Sequence, residues 1–359
     1  VNTLRLTVDP CHLETPEAQQ ALSQAAGILR AGGLVAFPTE TVYGLGANAL
    51  DRAAVEKIFV AKQRPAWDPI IVHIAGSEAG SKMLDTLVVP IALPDQRLRT
   101  DKLMKAYWPG PLTLLLPRTP AVPDAVTAGR PLVGVRMPAH PVALELIRLA
   151  GAPLAAPSAN SFGHISPTTA DHVLEDLDGR IEAVLDAGPA DYGVESTVLD
   201  PCQSPMVIYR PGAVTRLQIQ DIAGPVEMFA NALPLVETPQ SALPSPGVGL
   251  RHYAPRARLI LIEGSRTDLA ARLAEAAAGL RLERVGVMLP GDLPFALAGA
   301  TIYPWGSWSA PEELAHRLYA GLRALDSEQC TVILCPLPPD DGVGAAIRDR
   351  LGKAGVRQT

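Results

Sequence analysis

Lysine is scarce in this chain of 359 residues, with six against 25 arginines, so a lysine inside a motif is not filler. The four cysteines, Cys11, Cys202, Cys330 and Cys335, are scattered and form no CxxC pair, which excludes a zinc knuckle and a disulfide framework. No apolar run approaches the roughly 18–20 residues that span a bilayer, and the longest candidate, Leu87 to Leu93, is broken by Pro90. The start of the sequence carries Arg5 and Asp9 and no apolar signal-peptide core, so the expected location is cytoplasmic. Basic charge is not in excess either. The formal charge is −6, and residues 1–216 carry −4 of it, which argues against a broad nucleic-acid-binding face. There is no Walker A, GxSxG or kinase signature, and His140, His164 and His172 form no HExxH, so no histidine metal cage is expected.

What is present describes a folded chain. Hydrophobic residues at 48% against 19% charged residues supply a core, and the length exceeds what one core usually holds. The expected division is a first domain over 1–216, a linker over 217–257 and a second domain over 258–359. The middle stretch holds six prolines in 41 residues and little periodicity after Phe229, the composition of a semi-stiff connector.

The first domain reads as an alternation of helices and strands. Thr15 caps a helix over Pro16–Arg30, and Asp51 caps one running to about Lys62, with Val55, Ile58 and Phe59 on one face. Short apolar runs at 34–37, 70–74, 112–116, 133–137, 154–156, 183–185, 197–199 and 207–209 predict strands, with helices near 103–107, 141–149 and 169–177. The second half is too strand-rich for simple double winding. Residues 258–359 alternate more regularly and predict a small, open, mainly parallel sheet.

Five stretches could carry chemistry. In Pro38 to Ala49, Gly44, Gly46 and Ala49 satisfy GxGxxG/A, with Asp68 at about the distance of a ribose-binding acid. However, Asp68 precedes a strand and the helix begins too late, which favours a tight structural turn over a dinucleotide site. Lys62-Gln63-Arg64-Pro65 follows a helix end. Its cations either answer the helix dipole or, two apart in an extended segment, point together at phosphates or a carboxylate. His73 sits among aliphatics, where a satisfied core histidine is the common case. Arg136, alternating with valines, must point outward or be buried with an anionic partner. Ala156 to Ser161 with Ser166, and Glu195-Ser196-Thr197 with Arg210, offer small donors that suit an anion or an ordinary turn.

Their order is more specific than any one of them. PTETVYGLGANA, KQRP, DPIIVHI, WPGPLTLLL, VGVRMP, APSANSFGHISPT, ESTVLD and IYRPG, in this sequence, resemble the YrdC/Sua5 family of threonylcarbamoyl-AMP synthases over about residues 17–216. SPGVGLRHYAP and GVGAAIRDRLGKAG resemble the linker and terminal domain of the two-domain Sua5 type. The resemblance implies an α/β protein: a YrdC-like twisted mixed sheet with helices, followed by a smaller Rossmann-like domain.

The resemblance also implies an enzyme, a nucleotidyltransferase that condenses L-threonine, bicarbonate and ATP into threonylcarbamoyl-AMP and pyrophosphate. Thr41, His73, Arg136, Ala156 and Ser196 would hold threonine. Lys62, Arg64, Asp68, Leu132, Ser158, Asn160, Ser166 and Arg210 would bind ATP, with Lys62 and Arg64 carrying catalysis by charge. Mg2+ would come with the ATP phosphates, with no metal held by protein ligands. The implied partners are these small molecules and a downstream threonylcarbamoyl-transferase complex that modifies tRNA, with no membrane and no requirement to grip tRNA. The linker would fold over the mouth as a lid.

Three positions depart from the family pattern. Asp68 stands where Asn is usual, an acid that would repel phosphates unless magnesium or an arginine intervenes. Leu132 replaces a Thr, leaving only its backbone to contact the nucleotide, and Val248-Gly249-Leu250 replaces a Met-basic-Tyr run in the linker. The alternatives are a carbamoyl-phosphate-dependent carbamoyl transferase and an RNA-binding module.

Overall fold

Helix starts follow the capping chemistry written in the sequence. The computed structural model describes residues 2–229, 245, 253–280 and 282–357. The Thr15 side chain accepts from Ala18 N and opens α1 (Pro16–Arg30), and that of Asp51 accepts from Ala53 and Ala54 N and opens α2 (Arg52–Lys62). Then come α3 (Ser77–Leu87), α4 (Pro94–Tyr107), α5 (Asp124–Thr127), α6 (Pro141–Ala150), α7 (Ala170–Leu177) and α8 (Arg216–Ala223). The expected helices are present, but α3 was not anticipated and α4 begins well before Leu103. Both open on residues that make no side-chain cap, Gly76 and Leu93, although Pro94 at the start of α4 is itself a helix-start signal. By contrast, α8 opens with a full capping box of Thr215 and Gln218, a signal the sequence did contain.

The strands are β1 (Leu4–Thr7), β2 (Val35–Phe37), β3 (Gly44–Asn48), β4 (Ile71–His73), β5 (Leu112–Pro117), β6 (Leu132–Arg136), β7 (Leu154–Ala155), β8 (Ala183–Asp186), β9 (Thr197–Asp200), β10 (Met206–Arg210) and β11 (Val226–Met228). They form one sheet in the order β1-β8-β2-β3-β7-β4-β6-β5-β9-β10-β11, mixing parallel and antiparallel pairs. A large apolar cluster, including Leu22, Leu29, Phe37, Val72 and Leu146, packs helices such as α1 and α6 onto the sheet.

Two expectations about local structure are corrected. The glycine-rich stretch is a strand, β3, rather than a tight turn. Gly46 serves close packing there: a Cβ at this position would lie 2.8 Å from the Phe37 ring of the neighbouring strand. The segment 62–65 is not extended. Lys62 closes α2, and Gln63 caps it in the left-handed region with φ 55°.

The expected linker also begins as ordered structure. Nearly all of α8 lies within it, and β11 adds to the sheet in parallel beside β10. Apart from Ser245 and residues 253–257, the rest of that stretch, with most of the expected lid and the Val248-Gly249-Leu250 departure, lies outside the described residues.

The chain divides into two compact units. One contains residues 2–162, Pro167–Asp191 and the stretch beginning at Glu195, and the other contains Gly163–Ser166, Tyr192–Val194 and the C-terminal elements. In the second unit, β12 (Arg258–Ile262), α9 (Leu269–Ala278), β13 (Val285–Pro290), β14 (Thr301–Gly306), α10 (Pro311–Ser327), β15 (Val332–Pro336), α11 (Gly344–Ala354) and β16 (Val356–Arg357) follow one another. Their sheet, in the order β14-β13-β15-β12-β16, is parallel throughout, as a Rossmann-like pattern requires. The Trp305 indole, fully buried, donates to Leu314 O at 2.8 Å. Among the described residues, no helix is long and apolar enough to cross a membrane.

Candidate functional site

Strand register places five of the polar side chains at one edge of the first sheet. His73 and Arg136 are paired at the carboxyl ends of the parallel strands β4 and β6. Because β5 runs antiparallel to β6, Thr113 reaches the same edge. Because β9 runs parallel to β5, Ser196 just before β9 does too, and Arg210 ends β10 beside it. Open α/β sheets collect ligands at such strand ends.

Arg136 is buried, and it has the anionic partner its valine-flanked position called for. Its Nη2 lies 2.7 Å from Glu40 Oε1, its Nη1 donates to Thr41 Oγ1 at 3.0 Å and its Nε donates to Gly110 O at 3.2 Å. The loop between β2 and β3 supplies the first two, held in shape by Thr39, whose hydroxyl donates to Val42 O at 2.6 Å. Thr41 and Arg136 are thus in direct contact. His73 is buried next to them. Loss of hydration, then the charge of Arg136, push its pKa down to about 3, so its imidazole is neutral at physiological pH. Its Nδ1 has no hydrogen-bond partner among the described residues.

Ser196 and Arg210, assigned to different substrates by the sequence, touch each other. Arg210 Nη2 donates to Ser196 O at 3.0 Å and to its Oγ at 3.1 Å, and that Oγ also pairs with Thr113 Oγ1 at 2.8 Å. The approach is close enough that a Cβ on Gly212 would collide with Thr197 N, which explains the glycine in IYRPG.

A second group gathers where the segment after β7 returns beside the β2–β3 loop. Lys62 is fully buried, and its Nζ donates to Ser158 O at 2.6 Å and to Asn160 O. Burial, with the nearby Arg64 charge, holds its pKa well below the ordinary lysine value. Ser158 bridges to Gly44, and Ala159 N donates to Tyr43 O at 2.8 Å, so the 156–160 segment is an extension of the sheet rather than a free turn. Ala156 N is already spent on Ile71 O at 2.9 Å. Arg64 is buried with Asp68: Nη2 lies 2.9 Å from Asp68 Oδ2 and donates to Pro69 O at 2.7 Å. An arginine therefore does answer the departure at Asp68.

One assigned residue stands apart from Arg136, and another belongs to the second compact unit. Leu132 begins the strand that Arg136 ends, roughly 13 Å away at about 3.3 Å per residue. Ser166 is buried and belongs to the second compact unit. Glu40, Thr113 and Gly110 were not singled out in the sequence. Only Glu40 had a signal, the buried arginine in need of a counter-charge. Among the described residues no group of three His, Cys, Asp or Glu side chains is placed to hold a metal ion.

Comparison with known proteins covers nearly the whole chain. A Sua5/YciO/YrdC family profile, described as telomere recombination, matches residues 27–212, and one described as threonylcarbamoyl-AMP synthase, C-terminal domain, matches residues 214–355. The chain is 44% identical over 337 residues to a threonylcarbamoyl-AMP synthase of Pyrococcus abyssi, covering 92% of each. It is 44% identical over 334 residues to one of Bacillus subtilis, covering 93% of this chain and 92% of the relative. A crystal structure of P. abyssi Sua5 complexed with L-threonine superposes with a TM-score of 0.87 at 39% identity, over 99% of this chain and 100% of that one.

Proposed function

The chain belongs to the Sua5/YrdC family of threonylcarbamoyl-AMP synthases, and on that premise we propose how its own residues carry the reaction. It is a transferase that forms an adenylate from ATP. The observation that carries the assignment of roles is the buried Arg136 guanidinium, bonded to Thr41 Oγ1, with the neutral His73 on the next strand. A fork donor, a hydroxyl and an uncharged imidazole suit a small hydroxylated α-amino acid, with Arg136 for its carboxylate.

The threonine amine takes up bicarbonate or its CO2 to give a carbamate, whose oxygen attacks the α-phosphorus in line as pyrophosphate leaves. Lys62, Arg64, Ser158, Asn160 and Arg210 gather the nucleotide. Fixed cations and N–H groups oppose the charge that builds on the phosphates, so positioning and electrostatics supply the catalysis. Asp68 acts by fixing Arg64 rather than by touching phosphate.

Mg2+ enters as part of the ATP substrate. Glu40 and Asp68 are each paired with an arginine, and a site that presents Lys62, Arg64 and Arg210 fits a triphosphate that brings its own metal. The product passes to a separate transferase that completes threonylcarbamoyladenosine in tRNA, so this chain acts on small molecules. Pyrophosphate release that requires L-threonine, bicarbonate and MgATP together is the expected result. Release indifferent to threonine would overturn the reading.

A further inference from the structure

Glu40 has no part in the reaction as assigned above, yet its carboxylate is placed beside the substrate arginine. It is 2% exposed as a residue, and Oε1 faces Arg136 Nη2 at 2.7 Å. Neither Oε1 nor Oε2 has a hydrogen-bond partner among the described residues, so the contact with Arg136 is one of charge. A buried carboxylate oxygen without a donor is costly, and such an atom near a ligand site calls for a donor from the ligand.

Arg136 shows which part of the ligand that is. A guanidinium has five N–H bonds. Gly110 O takes Nε and Thr41 Oγ1 takes one N–H of Nη1, while Nη2 faces Glu40 Oε1 as an ion pair without a hydrogen bond, leaving N–H groups on both terminal nitrogens for a substrate carboxylate. With Glu40 in place, the pair is neutral before any ligand arrives. A bare carboxylate added to it would bury one uncompensated negative charge, which a low-dielectric site strongly opposes. The neighbouring imidazoles do not relieve this, since burial lowers the pKa of both His73 and His140. A zwitterion adds no net charge. Its ammonium and carboxylate are held on one carbon, a spacing that matches two counter-charges paired side by side.

We propose that Glu40 receives the α-ammonium group of the substrate, so that the Arg136–Glu40 pair recognises a zwitterionic α-amino acid by both charges and rejects carboxylic acids that lack the amine. The proposal rests on the threonine reading of the site and adds a determinant of specificity to it. It concerns the bound zwitterion, before the amine loses its proton and takes up CO2.

The test is calorimetric titration of the full chain with L-threonine and with its deaminated analogue, the matching 2,3-dihydroxybutanoate. The wild type is expected to prefer threonine at least tenfold. Glu40→Gln, which keeps shape and loses charge, is expected to weaken threonine at least tenfold while leaving the hydroxy acid unchanged or tighter, and Glu40→Asp to retain the preference. Equal weakening of both ligands in E40Q would mean that Glu40 only positions Arg136, and it would overturn the proposal. So would an unchanged threonine affinity. If E40Q does not fold, the wild type decides alone, since equal affinity for the two ligands is incompatible with an ammonium receptor. Binding of neither ligand is a different result, which removes the threonine reading itself and this inference with it.

Discussion

Arg64 and Asp68 form an ion pair that water does not reach, with Nη2 2.9 Å from Oδ2 and side chains 5% and 0% exposed. Removing one partner of such a pair leaves a charge stranded in a low-dielectric interior. Asp68→Ala is therefore expected to cost about 3–5 kcal/mol of stability, and Arg64→Ala a similar amount. The double variant should cost clearly less than the two together, measured as a double-mutant cycle from urea midpoints. Simple additivity would mean that the pair contributes nothing as a pair.

Arg136 stands in the same relation to Glu40, and its loss should act on one substrate more than the other. Arg136→Ala is expected to weaken threonine at least a hundredfold, as two charge-assisted hydrogen bonds at about 1.5–3 kcal/mol each imply. ATP affinity should change by less than about threefold in the folded variant, since a lost threonine carboxylate contact leaves the Lys62 group untouched. Equal loss of both affinities counts against the assigned role. Separate titrations with each substrate provide the measurement.

Lys62 gives a proton-linkage prediction. Burial lowers its pKa, so the folded chain binds fewer protons than the unfolded chain below pH 10.5, and stability at this residue rises with pH up to that value. Phosphates arriving beside it reverse the preference and draw a proton from solution. Titrations of ATP at several pH values below 10.5, in buffers of different ionisation enthalpy, should show proton uptake that Lys62→Met abolishes. Identical heats in all buffers across that range would contradict the linkage.

His73 sets an acid limit on stability. Its pKa falls from 6.5 to about 3 on folding, so its contribution is complete above pH 6.5 and declines as the pH drops towards 3. Between pH 7.5 and 4.5 the loss from this residue is about 2–3 kcal/mol, at 1.36 kcal/mol per pH unit. A His73→Gln variant should lose that much less stability over the same interval in urea titrations, whatever its stability at pH 7.5.

Gly46 tests packing rather than charge. A methyl group there meets the Phe37 ring at 2.8 Å and 3.2 Å, and Val35 O at 3.3 Å. Gly46→Ala is expected to cost about 1–3 kcal/mol. Phe37→Leu combined with it should recover part of that loss. No recovery in thermal unfolding would place the strain in the backbone instead.

Local signals in the sequence translate directly into structure where the chemistry is local. Thr15 and Asp51 cap the helices their positions predict, and the run Val133 to Arg136 marks a strand, of whose two settings for the arginine the fold takes the buried one. The glycine-rich stretch misled for a matching reason. Gly44 and Gly46 look like turn residues in isolation, and only the Phe37 ring on the adjacent strand shows why a strand needs glycine there. The cations of KQRP were likewise readable as charges, but not as buried ones.

The order of motifs along the chain was enough to determine the family and the reaction, because each motif is a short run whose residue types do not depend on distant neighbours. The regular alternation of residues 258–359 also marked the terminal sheet as mainly parallel, while the mixed sheet of the first domain followed from the family resemblance. It could not determine pairings that close over long separations. Glu40 meets Arg136 across 96 positions, and Ser158 O meets Lys62 Nζ across 96 as well. Those contacts depend on strand register and on how loops return across the sheet. They also decide whether a charge is solvated, and therefore whether Lys62 and His73 are charged or neutral. Sequence specified which groups are present; burial and pairing, which exist only in the folded chain, set their protonation and their partners.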